Sequence, residues 1–174
     1  MGTITTGGPT LTSKINSGAM AIARGDGKYL VLRGGGTTGM DIYDSVAGTF
    51  TASSQVTNGI IAGGAQAFPR PGGVYRVTHG GAVTTTSLID PIGSVPVGAT
   101  VAMSAASATG TVAFLKPDGR YIFTNGGAAT TQIYDPVADT FAAGPAFGAT
   151  ASKGSLVIPV ASSTTGYGAL FIVG

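Results

Sequence analysis

Three aspartates recur along the chain at a nearly constant interval and are the first candidates for chemistry. Asp44, Asp90 and Asp135 each follow an apolar run, and the last two stand directly before proline. Carboxylates at equivalent positions could bind a metal ion or act as a general acid and base. Aspartate in a turn also accepts hydrogen bonds from backbone N–H groups two residues further on. The sequence favours this turn-capping role, and Asp26 and Asp118 fit hairpin turns in the same way.

A second set of polar residues directly precedes pairs of glycines. Arg33, His79 and Asn125 share this position, and their side chains donate to or accept from carbonyl, hydroxyl and carboxylate groups. Together with Tyr167 they are candidates for binding a glycan or another small polar ligand. The competing interpretation is that they are polar strand ends exposed to solvent. His79 is the only histidine, and alone it forms neither a catalytic triad nor an ordinary metal site.

The composition excludes several kinds of catalytic and cofactor site. The chain has no cysteine, which excludes disulfides, thiolate metal sites, Fe–S clusters and cysteine nucleophiles. It contains no Gly-x-Ser-x-Gly, P-loop or His-x-x-His motif, and no pairing of a general acid with a general base is evident. We therefore predict a protein that is not an enzyme and has no cofactor and no bound metal ion. The absence of tryptophan weakens the glycan hypothesis, because sugar faces commonly stack on large aromatic rings.

Small residues dominate a chain of 174 residues, a length that suits one domain. Gly, Ala, Thr and Ser make up more than half of it, and all seven acidic residues are Asp. Because Gly, Thr and Ser are poor helix formers and Glu is absent, the composition favours an all-β fold. The nine basic residues are scattered singly, which argues against a nucleic acid partner. No apolar run reaches 18 residues, which argues against membrane insertion, and no secretory signal is legible at the N-terminus.

An internal repeat of about 46 residues organises the chain. Its clearest marker is the pair Gly34-Gly35, which recurs as Gly80-Gly81 and Gly126-Gly127. A run with the composition of a β-strand precedes each pair, and another apolar run lies upstream across a Gly-rich hairpin turn. The second glycine of each pair is predicted to adopt a positive φ angle. Two further short runs follow, so each repeat predicts four antiparallel strands, which we name a, b, c and d.

Each repeat resembles a blade of the Kelch family of β-propellers. The resemblance rests on a hairpin that ends in Gly-Gly, a following Tyr-Asp-Pro turn, and an aromatic residue where Kelch repeats commonly have Trp. Phe50 and Phe141 hold that place, whereas the second repeat degrades to Ser94-Val95-Pro96. The resemblance implies four-stranded blades around one axis and no particular activity. The Kelch-related galactose-oxidase-like enzymes need a Cys–Tyr pair and two His ligands, which this chain does not have.

The two ends of the chain supply complementary halves of a fourth repeat. Residues 154–174 repeat strands a and b, and the N-terminus aligns with strands c (residues 3–4) and d (residues 10–15). We therefore predict one domain made of unit 1 (residues 18–63), unit 2 (64–109), unit 3 (110–153) and a composite unit 4 (1–17 with 154–174). The predicted fold is a four-bladed β-propeller closed by pairing of its terminal strands, which hides exposed strand edges. The alternative is a larger ring pooled from two chains or from a longer protein.

The a strands, presumed innermost, alternate small and large residues. Ala21 and Ala67 alternate with Ile22 and Phe68. Large residues of one sheet are therefore predicted to interleave with small residues of the next sheet at the density of a protein interior.

Charge is distributed unevenly over the predicted ring. Most charged residues fall in the a–b and c–d turns of one rim, whereas the b–c loops of the other rim are almost uncharged. Either the neutral rim packs against another subunit, or short loops simply favour uncharged turn residues. We predict a non-enzymatic structural or interaction protein in a symmetric assembly of copies or neighbouring proteins. Its composition is similar to that of bacteriophage virion and other extracellular assembly proteins, which favours that location. The alternative is a module that binds a glycan or a small polar ligand.

Overall fold

The computed structural model describes residues 8–93, 100–162 and 166–172, and the side chains of residue 157 and of residues 159 onwards lie outside this description. In the described part every regular element is a β-strand, and no helix occurs. The prediction of an all-β fold is therefore confirmed. The strands form antiparallel sheets of four, three and four strands, together with a two-stranded hairpin.

The strands are numbered in chain order. Sheet 1 contains β1 (Met20–Ala23), β2 (Lys28–Leu32), β3 (Thr37–Asp44) and β4 (Thr49–Ile61). Sheet 2 contains β5 (Gln66–Pro69), β6 (Tyr75–Thr78) and β7 (Thr86–Ile89). Sheet 3 contains β8 (Ala113–Leu115), β9 (Tyr121–Thr124), β10 (Thr131–Asp135) and β11 (Thr140–Ala143). Hairpin 4 contains β12 (Leu156–Ser162) and β13 (Gly166–Ile172).

Each sheet is a meander in which strands adjacent in sequence pair with each other. Sheets 1 and 3 therefore contain the predicted strands a to d in order. Gly27 and Gly119 adopt positive φ in the a–b hairpin turns of these two sheets, as tight hairpins require. In β2, Leu30 and Leu32 are fully buried while Tyr29 is exposed, which is the alternation expected of a strand with two different faces.

In the described part of the chain, sheet 2 has three strands, whereas sheets 1 and 3 have four. In units 1 and 3 the fourth strand begins with Thr-Phe, whereas unit 2 has Ser94-Val95-Pro96 at this place. Those three residues lie outside the described part of the chain. The chain then returns to the sheet through isolated contacts: the Met103 amide donates to the Thr84 carbonyl at 2.8 Å, and Val83 forms a single β-bridge with Ser107.

The C-terminal hairpin lies where strands a and b of the fourth unit are predicted. β12 and β13 pair from Leu156↔Ile172 to Ser162↔Gly166, and among the described strands β13 pairs only with β12. The prediction of strand d at residues 10–15 is wrong, because this segment forms no strand. All but one of its side chains are exposed, so it lacks the buried alternating face that fixes the register of a strand. The predicted strand c at residues 3–4 lies outside the described residues.

A tight turn opens each unit, and the four turns are built alike. They comprise residues 16–19, 62–65, 108–111 and 152–155. In each, the amide of the fourth residue donates to the carbonyl of the first over 2.9 to 3.1 Å, and the third residue is a glycine with φ between 87° and 100°. This is the pattern of a type II turn. A Cβ atom at Gly18 or Gly64 would lie less than 3.0 Å from backbone atoms of the next opening turn, so successive turns pack directly on one another.

The glycine pairs fold strand b back onto the opening turn of the same unit. The predicted positive φ of their second glycine is confirmed, with values of 66° at Gly35, 64° at Gly81 and 81° at Gly127. The Gly35 amide donates to the Ser17 carbonyl and the Gly81 amide to the Gly63 carbonyl, both at 2.9 Å.

Two apolar clusters lie between the sheets. One joins Ile22 and other residues of sheet 1 to Val77 and Ile89 of sheet 2. The other joins Phe68 of sheet 2 to Phe123 and further aromatic residues of sheet 3. Ile22 and Phe68 are both buried. The predicted interleaving of large with small residues is wrong at the second interface, because Phe68 packs mainly against large aromatic side chains of sheet 3.

Candidate functional site

Arg33, the first predicted ligand-binding residue, belongs to an ion pair with a buried carboxylate. It follows β2, and its guanidinium lies 2.8 Å from the carboxylate of Asp41 on β3, which is inaccessible to solvent. The same guanidinium donates to the Thr12 hydroxyl at 2.8 Å. Burial by itself raises the pKa of Asp41, but hydrogen bonds from Arg33 and Thr12 hold the pKa below its usual value. Arg33 therefore compensates a negative charge in the protein interior.

His79 and Asn125 hold the same position in sheets 2 and 3, and both are buried. Nε2 of His79 lies 2.7 Å from the Ser87 hydroxyl. Oδ1 of Asn125 accepts a hydrogen bond from the side-chain amide of Gln132. Like Arg33, each side chain thus bonds to the following strand of its own sheet. The interpretation of His79 and Asn125 as solvent-exposed strand ends is wrong, because these cross-strand hydrogen bonds allow both to be buried.

The ligand-binding role of Arg33, His79, Asn125 and Tyr167 stays a prediction. The structure places these residues in four different units, after β2, β6 and β9 and, for Tyr167, within β13 opposite Ala161. The side chain of Tyr167 lies outside the described part. The polar atoms of the other three bond to groups of the protein, so a ligand would have to displace those partners.

The strand-c member of each buried polar pair also bonds to the segment that precedes its unit. The three contacts are Thr12 with Asp41, Asn58 with Ser87 at 3.1 Å, and Ser104 with Gln132 at 2.8 Å. The first residues of these contacts stand 46 residues apart and so occupy one repeated position. The N-terminal segment around Thr12 therefore contacts sheet 1 in the way that the end of a preceding unit contacts sheets 2 and 3.

The buried imidazole of His79 is expected to make the free energy of unfolding depend on pH between about pH 7 and pH 5. Burial lowers the pKa of its ring below 6.5, so as the pH falls the unfolded chain binds a proton before the folded protein does. We expect the free energy of unfolding to decline from about pH 7 towards pH 5, with a slope of up to about 1.4 kcal/mol per pH unit. Urea unfolding at a series of pH values measures this slope.

The His79→Asn variant is the control for this prediction, because it carries the residue that sheet 3 has at the same position. The chain has one histidine, so no second imidazole changes its charge in this range. We therefore expect the variant to show a flat profile over this range. An equal slope in both proteins would contradict the buried, neutral state of His79.

The recurring aspartates cap turns, as predicted. Oδ1 of Asp44 accepts hydrogen bonds from the amides two and three residues further on, at 3.0 and 2.9 Å. Asp135 accepts the same two bonds at 2.9 Å, and Asp90 accepts one at 3.0 Å. These backbone bonds, with help from Lys28, lower the pKa of Asp44. The described residues contain no group of three or more side chains that could hold a metal ion.

A buried arginine that the sequence analysis missed joins sheets 2 and 3. Arg76 on β6 is only 1 % exposed, and its guanidinium pairs with Asp139 in the c–d turn of sheet 3. Arg70 lies 3.3 Å from the same carboxylate, and the Tyr134 hydroxyl donates to it at 2.9 Å. Burial by itself raises the pKa of Asp139, but Arg76 and Tyr134 hold the pKa below 3.8. The available signal was an arginine inside a strand-like run that begins at Tyr75.

Aromatic packing forms the apolar part of the same interface. Phe68 on β5 is 1 % exposed and inserts its ring among side chains of sheet 3. Its centroid lies 5.1 Å from Tyr121, 5.3 Å from Phe123 and 5.1 Å from Tyr134. Phe141 stacks on Tyr134 at 4.6 Å. A residue of strand a in one unit thus fills a recess formed by strands b, c and d of the next unit.

Sheet 1 has a recess equivalent to the one that Phe68 fills in sheet 3, and no side chain of the described residues fills it. A cavity of about 470 Å³ is lined by Ala21, Tyr29, Val31, Tyr43, Ser45 and Phe50. Except for Ser45, these residues align one by one with Ala113, Tyr121, Phe123, Tyr134 and Phe141, which pack around Phe68 in sheet 3. Tyr29 is 42 % exposed. This open, uncharged recess is the candidate functional site.

Comparison with known proteins assigns no family to the chain. No protein-family model matches it, and a search of curated proteins finds no match. Over the described residues there is also no helix with the length and apolar character needed to cross a membrane.

Proposed function

We propose that this protein is a non-enzymatic structural and interaction module, built as a β-propeller with Kelch-like blades. Its partners are protein surfaces, above all other copies of the same chain in a symmetric assembly such as a virion or another extracellular particle. Four-stranded meanders that repeat in sequence and pack through equivalent turns support the propeller. The low charge of the chain, with 9 % charged residues, supports an assembly in which neighbouring subunits bury much of the surface.

The exposed apolar tips of the c–d turns carry the proposal. Val46, Ile92 and Val137 hold equivalent positions in the three complete units. Their exposed fractions are 96 %, 56 % and 77 %. An aliphatic residue repeated at the tip of each unit suits contact with another protein, because an interface would remove its apolar surface from water.

A propeller also requires its fourth unit to contact the first. In this proposal hairpin 4 supplies strands a and b of the fourth unit, and sheet 1 offers its open recess to strand a. Within one chain this contact closes the four-bladed ring predicted from the sequence. Between chains the same contact links copies.

Sedimentation velocity of the full chain over a wide concentration range tests the proposed function. We expect discrete oligomers that persist at about 1 M salt, because apolar contacts are not screened by ions. The Val46→Ser/Val137→Ser variant is expected to associate more weakly. Lys116→Ser, in an a–b turn of the same rim, is the control and is expected to associate like the parent protein. A monomer at every concentration would contradict the proposal.

A further inference from the structure

We propose that the open recess of sheet 1 receives strand β12 of a second copy of this chain, with Ile158 of one copy inserted among Tyr29, Tyr43 and Phe50 of the next. The inference rests on the proposed function and names a further pair of surfaces, besides the c–d tips, through which copies meet. The contact is head-to-tail, because the recess lies in the first sheet of the chain and β12 lies in the last hairpin. Each copy therefore has one surface of each kind free for another copy.

The inserted residue is identified by the interfaces already present within the chain. Ile22 follows the glycine of its opening turn by four residues, and Phe68 does the same. Both are buried against the next unit. Ile158 holds this position after Gly154, yet it is 38 % exposed. Among the described residues, Ile158 thus lies outside the recess of sheet 1, which stays open.

The opening turns show the same incomplete contact. A Cβ atom at Gly18, Gly64 or Gly110 would lie less than 3.0 Å from the backbone of the next turn. At Gly154, no described atom lies within 4 Å of such a Cβ atom. Within the described part of the chain, the last turn therefore lacks the neighbour that the first three have. In a second copy, the first opening turn, residues 16–19, would supply it.

One polar contact of a unit interface is already made at sheet 1. Thr12 bonds to Asp41 as Asn58 bonds to Ser87 one interface later. The missing component is therefore an inserting strand a, which β12 provides. In its own chain β12 lies beside β8, the strand a of unit 3, and Ile158 stays outside the recess.

The residue composition of the sheet 1 recess and of β12 also favours burial of these two surfaces against each other. Neither the recess lining nor β12 contains a charged residue. Leu156, beside Ile158 on β12, is 51 % exposed and adds apolar area to the contact. No charge would have to be desolvated when the copies meet, which favours a stable interface.

Cysteine cross-linking tests the contact directly, because the chain has no cysteine of its own. Equal amounts of the Ala21→Cys and Ile158→Cys variants are mixed and oxidised. We expect a disulfide-linked dimer that contains one copy of each variant, because Ala21 lines the recess. Ile60→Cys mixed with Ile158→Cys measures random collision, since Ile60 is 55 % exposed and lies outside the recess. Cross-linking no greater than in this control would overturn the proposal.

The Ala21→Cys/Ile158→Cys double variant separates the two sources of strand β12. A disulfide that forms only within monomers of the double variant would show a ring closed by one chain, and the second copy would be ruled out. Oligomers without the mixed cross-link would leave the proposed function standing and reject this interface. A protein that is monomeric throughout would reject both.

Substitution of Ile158 in the protein without cross-links gives an independent test, with the strength of self-association as the measured quantity. Ile158→Asp is expected to weaken self-association about tenfold or more, as loss of a central apolar residue does at protein interfaces. Ile60→Asp replaces an isoleucine that is 55 % exposed on β4 and is the matched control. Equal association of the two variants would contradict the role of Ile158.

Discussion

The Gly64→Ala variant is expected to lose cooperative folding, or to lose about 4 kcal/mol or more of its free energy of unfolding. Gly64 has a φ angle of 89°, which already disfavours any side chain with a Cβ atom. Its Cβ atom would in addition lie less than 3.0 Å from backbone atoms of Ala108 in the next opening turn. Because the obstructing atoms belong to the backbone, no change of rotamer relieves the clash, and units 2 and 3 have to move apart.

Gly119→Ala is the matched control, because Gly119 has a φ angle of 83° and no described atom within 4 Å of its Cβ position. It therefore carries the backbone strain without the clash, and we expect a loss of about 1 to 2 kcal/mol. Circular dichroism followed during urea unfolding measures both variants. If the two variants unfold at the same denaturant concentration, the contact between the opening turns does not hold the units together.

The Arg76→Met variant is expected to lose about 3 to 5 kcal/mol of unfolding free energy, because it removes a partner of a partly buried carboxylate. Methionine retains most of the apolar stem of arginine, so the change mainly removes the guanidinium that contacts Asp139. Adding Asp139→Asn removes the charge of the carboxylate that has lost this partner. Asparagine tolerates the positive φ of 57° at this position. We expect the double variant to regain part of the lost stability.

The same carboxylate gives acid sensitivity of a defined sign. The pKa of Asp139 is lowered in the folded protein, so its contribution to stability is complete above about pH 4 and is lost as the pH falls through the folded value. Unfolding of Arg76→Met/Asp139→Asn should therefore depend less on acid than unfolding of the parent protein. Arg120→Met, which breaks an exposed ion pair with Asp118, is the control and is expected to leave the unfolding midpoint unchanged. If Arg120→Met also lost stability, the loss in Arg76→Met would reflect removal of any positive charge and not the contact with Asp139.

Features encoded by a few neighbouring residues could be predicted from the sequence. The 46-residue interval predicted the repeated hairpins because Gly-rich turns and apolar strands recur together. Capping by Asp44 followed from its place in a turn. The second glycine of each pair has the predicted positive φ, because Cβ-bearing residues rarely occupy that region.

Features that depend on contacts between units could not be read in the same way. The sequence does not show that Arg76 meets Asp139, 63 residues away, or that Ser87 and Thr85 allow His79 to be buried. Residues 10–15 have the composition of strand d, but ladder pairing depends on an available neighbouring strand and a buried face, which composition alone does not reveal. The open recess could have been noticed by comparing the aromatic residues of units 1 and 3, although only the structure shows Phe68 inserted in one of them.

The buried pairs Arg33–Asp41, His79–Ser87 and Asn125–Gln132 constrain how the three units can diverge. At equivalent positions the three units have an ion pair, an imidazole bonded to a hydroxyl group, and two amides bonded to each other. Replacing only one member of a pair leaves the other without a hydrogen-bond partner in the interior. A substitution at such a position is therefore tolerated chiefly when a second one accompanies it. Both members lie on one b–c hairpin, so recombination that copies the whole hairpin from one unit to another moves a compatible pair in a single event.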